Sequence, residues 1–232
     1  GSNPVMSVLI RVYSDFVCPY CYLAEFPLAE AVAGRDVEVE WMPFELRPEP
    51  HPTLLPEGEY LQRAWSGSVY PIARRMGVEI HLPPVSPQPY THLAWEGYQF
   101  ARERGRGADY NHRVLAGFFV EGLDIGRVDV LTRLAGEAGL DPESFRGALE
   151  ERRYREAHRA SLRHAYEEAG ITGVPAFEIG GRMLAGMQDR ETFEAALAEA
   201  SPRPSLAEAG QTCGPDGCEV GPGGQDPARH DG

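Results

Sequence analysis

The chain has 232 residues and a formal net charge of −13 at pH 7. This length suffices for one large domain or for a domain with an insertion. The negative charge argues against nucleic acid or an anionic membrane as a partner, because both favour basic protein surfaces, and the apolar runs are too short to span a bilayer.

From the first residues of the sequence we expect no targeting signal. Residues 1–4 resemble the remnant of a purification tag, so we expect the natural chain to begin at Met6. A strand pattern follows at once, without the charged and apolar stretches of a secretory signal. Four cysteines in two close pairs are too few for a secreted disulfide framework of this length. We therefore predict a cytoplasmic location.

The first predicted element is a strand over residues 6–14, where side chains alternate between two faces. A helix is predicted over residues 22–33. The segment between them reads Cys18-Pro19-Tyr20-Cys21. Pro19 suits the first helical position, where its missing N–H costs nothing. The two cysteines are therefore expected where a strand passes into the N-terminus of a helix.

This position predicts a reactive first cysteine. The unpaired N–H groups and the positive dipole end of the helix favour a thiolate at Cys18, and a thiolate is the attacking species in disulfide exchange. Cys21, one turn further on, can close a disulfide with it. An inert disulfide or half of a zinc site would also contain cysteines at this spacing, but the strand, proline and helix context favours a redox pair.

The remaining elements predict a split domain. A second strand over residues 37–44 and a proline-rich passage precede helical patterns over 58–170. Strands over 174–179 and 183–185 and a helix over 189–200 follow. The order β-α-β, helical block, β-β-α predicts an α/β thioredoxin-like fold with a large all-helical insertion. Its predicted parts are the split thioredoxin-like domain, 6–57 and 171–200, the helical insertion, 58–170, and a Pro/Gly-rich tail, 201–232.

A second informative segment starts the third strand at Val174-Pro175. Proline belongs at the first residue or the edge of a strand because it cannot donate to the ladder, and it is the residue for which a cis peptide bond is cheap. We predict a cis bond here that leaves backbone groups free to pair with a substrate segment beside Cys18. A trans proline that simply begins the strand is the alternative.

The tail has a composition that predicts disorder, yet it contains a second cysteine pair, Cys213 and Cys218, around Gly-Pro-Asp-Gly. This tetrapeptide favours a tight turn, which can bring the two sulfurs together. A structural clip and a second redox pair that exchanges with Cys18 are both open interpretations, as is an incomplete zinc site with His230. About 13 residues separate Ala200 from Cys213, a flexible span on the order of 20 Å.

Three segments together resemble the DsbA-type thiol–disulfide oxidoreductases. They are Cys18-Pro19-Tyr20-Cys21, the loop Gly173-Val174-Pro175-Ala176-Phe177 and the hairpin Gly180-Gly181-Arg182. A fourth segment resembles the insertion helices of the cytosolic FrnE-like branch, and it reads Phe118-Phe119-Val120-Glu121-Gly122-Leu123-Asp124-Ile125. The resemblance covers about residues 8–200.

The resemblance implies a role for each motif residue. Cys18 would be the nucleophile, Cys21 the resolving thiol and Pro175 the cis proline. From their own positions, we expect Val174 with Pro175 to hold the substrate backbone and Pro19 and Tyr20 to lie against the substrate. Phe16 and Tyr20 flank the nucleophile and are expected to form an apolar rim. The Pro-Tyr dipeptide is familiar from glutaredoxins and tunes the reduction potential, so DsbA-like oxidising power does not follow. FrnE-like relatives with a tail Cx4C fit the second redox pair.

We therefore predict a DsbA-like thiol–disulfide oxidoreductase that acts on protein thiols, monomeric, with no metal and no bound cofactor, and with glutathione or a thioredoxin-like protein as reductant. A glutathione-dependent transferase or isomerase of the same fold is one alternative, although such relatives typically have Ser at the position of Cys18. A zinc-holding or chaperone-like binding protein is the other. Oxidase, reductase and isomerase share these residues and differ in reduction potential.

Overall fold

The computed structural model describes residues 5–206 and, further on, the backbone of two short strands, Thr212–Gly214 and Gly217–Glu219. The predicted tag remnant at residues 1–4 and the zinc site with His230 lie outside the described residues. No helix within the described part is long and apolar enough to cross a membrane.

One mixed sheet carries both predicted halves of the fold. It contains β1 Met6–Ser14, β2 Val37–Pro43, β3 Ala176–Ile179, β4 Arg182–Ala185 and β5 Arg203–Pro204. The order is β2-β1-β3-β4, with β1 parallel to β2 and antiparallel to β3. The parallel pair requires a crossover, and helix α1 Pro19–Val32 supplies it. This arrangement confirms the predicted α/β fold.

Helices α1 and α9 Arg190–Glu199 lie against each other beside the sheet. Helix α9 begins as the sequence predicts, because the carboxylate of Asp189 caps it by accepting the N–H of Thr192 at 2.8 Å. Phe177 of β3 packs on Phe193 of α9 with ring centroids 4.8 Å apart, and both rings are buried. The core of this half therefore lies between the sheet and its helices.

The segment between β2 and β3 is helical throughout its ordered elements. Its helices are α2 Glu59–Ala64, α3 Tyr70–Met76, α4 His92–Glu103, α5 Gly107–Phe119, α6 Val128–Glu137, α7 Pro142–Glu150 and α8 Arg155–Arg163. A π-helical turn, Trp65–Val69, joins α2 to α3, and another, His164–Glu168, extends α8. These helices fall inside the predicted insertion; its exact limits stay a prediction.

The insertion has its own aromatic packing. Trp95 and Tyr98 of α4, Tyr110 of α5 and Phe145 of α7 are all buried. Gly97 lets these helices approach closely, because a Cβ there would lie 2.7 Å from Cζ of Phe145 and would also clash with the Tyr110 hydroxyl. The hydroxyl of Tyr110 donates to the carbonyl of Ala94 at 2.7 Å.

The structure departs from the sequence-based expectation at the start of the tail. Composition predicts disorder from residue 201, but Arg203–Pro204 pairs with Met6 and Ser7 of β1. The end of β1 before its pairing with β3 offers an unpaired edge, and the tail occupies it. Beyond β5, the Leu206 N–H donates to the carboxylate of Glu38 at 2.9 Å. The disorder prediction is therefore wrong for this first stretch of tail.

The two short strands of the tail, β6 Thr212–Gly214 and β7 Gly217–Glu219, pair antiparallel. Their register sets Cys213 directly opposite Cys218, as the predicted turn requires. The side chains of both cysteines lie outside the described residues.

Candidate active site

The Cys-Pro-Tyr-Cys segment lies where the sequence predicts it. Cys18 is the N-cap of α1, with an extended backbone (φ −93°, ψ 112°), and Pro19 occupies the first turn. The Cys18 N–H donates to the carbonyl of Asp15 at 3.2 Å, which closes the turn from β1 into the helix. The helix begins three residues earlier than predicted, because Pro19 and the residues after it are already helical.

The two cysteines are free thiols with unequal surroundings. Both are buried, but Cys18 lines a cavity and Cys21 does not. Burial, and then a hydrogen bond with Cys18, raise the pKa of the Cys21 thiol well above its usual range. Cys21 is therefore held as a thiol behind Cys18, and the accessible sulfur is that of Cys18.

The hydrogen bonding of Cys18 differs from the sequence-based expectation. Its side chain makes no cap hydrogen bond with the first-turn N–H groups of α1. The thiol donates instead to the carbonyl oxygen of Val174, with 3.7 Å between sulfur and oxygen. The cause is the loop before β3, which lies across the start of the helix and offers an acceptor.

That loop brings the second predicted motif to the first. The Val174-Pro175 peptide bond is cis, as predicted. The carbonyl of Pro175 accepts the Gly186 N–H at 2.8 Å, which fixes the loop to the end of β4. The Val174 N–H has no partner among the described residues. A backbone donor is thus free next to the carbonyl that faces Cys18.

A cavity of about 250 Å³ opens beside Cys18. Its wall combines the Cys18 segment with the insertion and with the chain after β2, and its lining includes Val17, Pro19, Tyr20, Leu46, Arg47, Leu54, Tyr60, Trp65, Gln88 and Val174. Tyr60 is 66% exposed at the rim, and Leu46 is also exposed. Tyr20 lines the cavity, as expected for a residue of the apolar rim. The prediction that Phe16 also belongs to this rim is wrong. That ring is buried against Trp95 with centroids 4.4 Å apart.

Tyr20, between the two cysteines, is tied to the insertion. Its hydroxyl lies 2.7 Å from Oγ of Ser68, in the π-helical turn between α2 and α3. π-helical turns are frequent at functional sites. The sequence does not reveal this contact, because the two residues are 48 positions apart and a hydroxyl pair has no spacing signal.

Asp15 is a buried acid that the sequence analysis missed. Its carboxylate accepts the N–H groups of Phe16 and Leu46, both at 2.9 Å, and the Trp95 indole N–H at 3.4 Å, and it is also hydrogen-bonded to the Thr91 side chain. Burial raises the pKa of Asp15 to about 6. Its position three residues before Cys18 was visible, but its burial was not.

A second buried acid lies next to this one. A carboxylate oxygen of Glu45 accepts the Nε2–H of His158 at 3.0 Å, and both side chains are buried. The negative charge of Glu45 adds to the rise in the pKa of Asp15. Polar groups from the residue after β1, from the chain after β2 and from α8 thus lie together next to the cavity that Asp15 lines.

Comparison with known proteins shows the family. Residues 9–198 match the DSBA-like thioredoxin domain, and the chain belongs to this family. The thioredoxin-like fold with a helical insertion that the sequence predicts is therefore confirmed, as is the resemblance to DsbA-type oxidoreductases. The placement in the FrnE-like branch stays a prediction.

Three known proteins illustrate what this chain is similar to. The chain is 51% identical over 195 residues to an uncharacterized Bacillus subtilis protein, YwbO, a match that covers 84% of this chain and 98% of the relative. A probable DsbA oxidoreductase of Streptomyces coelicolor is 27% identical with a TM-score of 0.71, over 92% of this chain and 99% of that one. The cytosolic disulfide reductase DsbM of Pseudomonas aeruginosa shares the fold at 21% identity and a TM-score of 0.61, over 82% and 97% of the two chains, and has also been solved with glutathione.

Proposed function

We propose that this protein is a thiol–disulfide oxidoreductase that acts on protein thiols and disulfides through a mixed disulfide at Cys18. One observation carries the proposal: Cys18 lines a cavity, whereas Cys21 is buried behind it with a raised pKa. A structural disulfide or a metal half-site needs no such difference between its two sulfurs.

Each step of the exchange follows from this asymmetry. The Cys18 thiolate attacks one sulfur of a substrate disulfide, forms the mixed disulfide and releases the first substrate sulfur as a thiolate. Cys21 then attacks the Cys18 sulfur, its proton passes to the second departing sulfur, and a Cys18–Cys21 disulfide remains. The dithiol has given two electrons to the substrate. The reverse sequence oxidises a substrate dithiol.

The substrate backbone would pair beside the nucleophile. Val174 has a free N–H and a carbonyl within 3.7 Å of the Cys18 sulfur, which are the groups that an added strand uses. Pro175 is fixed beneath it through Gly186. Pro19 and Tyr20 line the adjoining cavity and would contact the residues that flank the substrate cysteine.

The proposal includes the partners. The protein would work in the cytoplasm as a monomer, without a resident cofactor or metal, and would be reduced by glutathione or a thioredoxin-like protein. The shared fold with a cytosolic disulfide reductase that has been solved with glutathione supports this environment.

The reduction potential of the Cys18–Cys21 pair tests the proposal. Equilibration with glutathione buffers, followed by mass measurement after alkylation, should give a reversible two-electron transition. The protein should also reduce insulin or reactivate scrambled ribonuclease, and Cys18→Ser should abolish both activities. A pair that does not titrate would refute the proposal. Turnover of a small electrophile with glutathione, without dithiol cycling, would instead favour a transferase or isomerase, and stoichiometric zinc would favour a metal-holding protein.

Cys213 and Cys218 would form a second redox pair that exchanges with Cys18–Cys21. Their opposite positions in β6 and β7 support a disulfide that closes easily. Because Leu206 is held by Glu38, only seven residues remain to Cys213, a reach of at most about 25 Å. Trapping of a Cys18–Cys213 or Cys18–Cys218 bond in the Cys21→Ser variant would test this exchange.

A further inference from the structure

Arg47 has an environment unlike that of the other arginines. It is half-buried and lines the cavity beside Cys18, yet it has no ion pair or hydrogen bond with any described residue. Most other arginines between residues 5 and 206 pair with an acid. Those without such a pair are all exposed, and they are Arg35, Arg74, Arg75, Arg146, Arg155, Arg163 and Arg203.

No acid that lines the described part of the cavity forms an ion pair with Arg47. Among the lining residues in the described part, only Arg47 and Asp15 carry charge. The Asp15 carboxylate is already saturated by the N–H groups of Phe16 and Leu46, the indole of Trp95 and the side chain of Thr91. The charged group that remains free to pair with a ligand is therefore the Arg47 guanidinium, in a chain whose net charge is −13.

The position of Arg47 is built into the fold. The Leu46 N–H donates to Asp15 at 2.9 Å, so the residue next to Arg47 is anchored three residues from the nucleophile. The first turn of α1 contains no acid, and its N-terminus adds positive potential on the Cys18 side of the cavity. Two independent elements thus place positive charge around the reacting sulfur.

We propose that Arg47 is a specificity-determining residue that binds a carboxylate carried by the disulfide or thiol that reacts with Cys18. A guanidinium that is partly removed from water without a partner gains most from a bidentate carboxylate. The cavity, at about 250 Å³, lies at the small end of ligand pockets. It therefore suits one short acidic group close to the reacting sulfur. This inference rests on the proposed function.

Two sources would supply this chemistry. One is a low-molecular-weight thiol with its own carboxylate, and the other is an acidic residue that flanks a substrate cysteine in a protein. Both put a carboxylate within a few bonds of the sulfur that Cys18 attacks. In both, the carboxylate does not take part in the sulfur exchange and only positions the ligand.

Three small disulfides of similar size but different charge test the proposal: 3,3′-dithiodipropionate, bis(2-hydroxyethyl) disulfide and cystamine. The rate at which each oxidises the reduced protein is measured by rapid alkylation and mass spectrometry at several ionic strengths. We expect the anionic disulfide to react roughly tenfold faster than the neutral one, because the free energy of one charge-assisted contact corresponds to about that ratio. The cationic disulfide should react slowest.

Variants separate Arg47 from general surface charge. Arg47→Gln should remove the anionic-to-neutral preference, and Arg47→Lys should restore part of it. Arg146→Gln makes the same charge change at an exposed, unpaired arginine outside the cavity and should retain the wild-type preference. Equal preferences in the Arg47→Gln and Arg146→Gln variants would overturn the proposal, as would a wild-type protein without any preference.

A peptide arm identifies the source of the carboxylate. Two mixed-disulfide peptides that differ only by Glu or Gln beside the cysteine are compared with wild type and Arg47→Gln. A Glu preference that depends on Arg47 indicates protein substrates, and a preference confined to the small disulfides indicates a low-molecular-weight thiol; either supports the carboxylate subsite. If none of the disulfides oxidises Cys18, the proposed function itself fails. If the neutral disulfide reacts and charge has no effect, only the subsite fails.

Discussion

At the residue scale, the two active-site cysteines differ in access although they lie one helical turn apart. Burial raises the pKa of Cys21, and only Cys18 lines the cavity. We predict that iodoacetamide at neutral pH modifies Cys18 of the reduced protein and leaves Cys21 largely unmodified. Peptide mapping by mass spectrometry measures the label at each position.

Variants of each cysteine test the assignment of Cys18 as the accessible thiol. Cys21→Ser should retain labelling at Cys18, whereas Cys18→Ser should label slowly, because Cys21 does not border the cavity. Faster labelling at Cys21 in the wild-type protein would reverse the roles of the two thiols.

Asp15 gives the protein a specific pH dependence. Its pKa is raised to about 6 by burial, whereas an unfolded chain has about 4. Between these values the native state binds more protons than the unfolded state, so the free energy of unfolding falls as the pH rises through this window. The shift corresponds to about 3 kcal/mol.

Comparison with Asp15→Asn isolates this effect, because asparagine does not titrate. Urea titrations give the free energy of unfolding of the wild type and of the variant at each pH. From pH 4 to pH 7 the wild type should lose up to about 3 kcal/mol of this free energy relative to the variant. A difference that is constant across this range would show that Asp15 titrates normally.

The residues that the sequence predicted are those with a local signature. Cys18, Cys21 and Pro175 stand in motifs whose meaning depends on neighbours along the chain. Asp15 and Arg47 have no such signature, because their roles depend on the segment after β2 lying against β1 and on burial that only the tertiary structure creates.

At the scale of the elements, α1 is linked to the insertion by the hydroxyl pair of Tyr20 and Ser68, 2.7 Å apart. Removal of either hydroxyl should cost about 1 kcal/mol of unfolding free energy. We predict a coupling of about 1 kcal/mol in a double-mutant cycle of Tyr20→Phe and Ser68→Ala, measured by urea unfolding.

Ser66→Ala provides the control for this cycle. Ser66 is an exposed serine of the same π-helical turn, and its hydroxyl contacts only carbonyl oxygens of the preceding turn, those of Gln62 at 2.7 Å and Arg63 at 3.5 Å. It should show no coupling with Tyr20→Phe. Additive effects of Tyr20→Phe and Ser68→Ala would mean that the hydroxyl pair does not join the two elements.

The packing of α4 on α5 and α7 depends on the missing side chain of Gly97. Its Cβ would lie 2.7 Å from Phe145, so Gly97→Ala should force the helices apart and cost on the order of 1–3 kcal/mol. Gly67→Ala, where no atom lies within 4 Å of the added carbon, should be neutral or stabilising. Thermal unfolding of both variants compares them, and equal stability would contradict the packing.

The elements show what a linear pattern predicts and what it does not. Alternation set the bounds of β1, and the helix predicted from residue 189 begins there, where the carboxylate of Asp189 accepts the N–H of Thr192 at 2.8 Å. β3 begins only at Ala176 because the two preceding residues serve the loop over Cys18. β5 was not predicted because its strand partner within the described part of the chain is the open edge of β1 at Met6–Ser7, 196 to 198 residues earlier.

At the scale of the whole molecule, β5 changes how the tail pair could serve the main site. The tail joins the sheet beside Met6, whereas Cys18 follows the opposite end of β1. The nine residues of β1 span about 26 Å, close to the reach of at most about 25 Å from Leu206 to Cys213. With β5 in place, exchange within one chain therefore needs an almost fully extended linker.

This geometry predicts that exchange between the tail pair and Cys18 depends on protein concentration. With β5 in place, a second molecule supplies the tail disulfide more readily than the same chain does. Mixing Cys21→Ser with a Cys18→Ser variant should give intermolecular Cys18–Cys213 or Cys18–Cys218 adducts, at a rate that rises with the concentration of either protein. An adduct that forms only within one chain, at a rate independent of concentration, would contradict this anchoring of the tail.

The central claim is that Cys18 carries the substrate as a mixed disulfide and Cys21 releases it. The most direct measurement is the intact mass of Cys21→Ser after incubation with an excess of a disulfide-bonded protein substrate. The structure predicts a stoichiometric adduct linked through Cys18, which dissociates on addition of dithiothreitol and is absent from Cys18→Ser. The account is contradicted if Cys21→Ser carries no adduct at Cys18 and Cys18→Ser forms as much adduct as Cys21→Ser does.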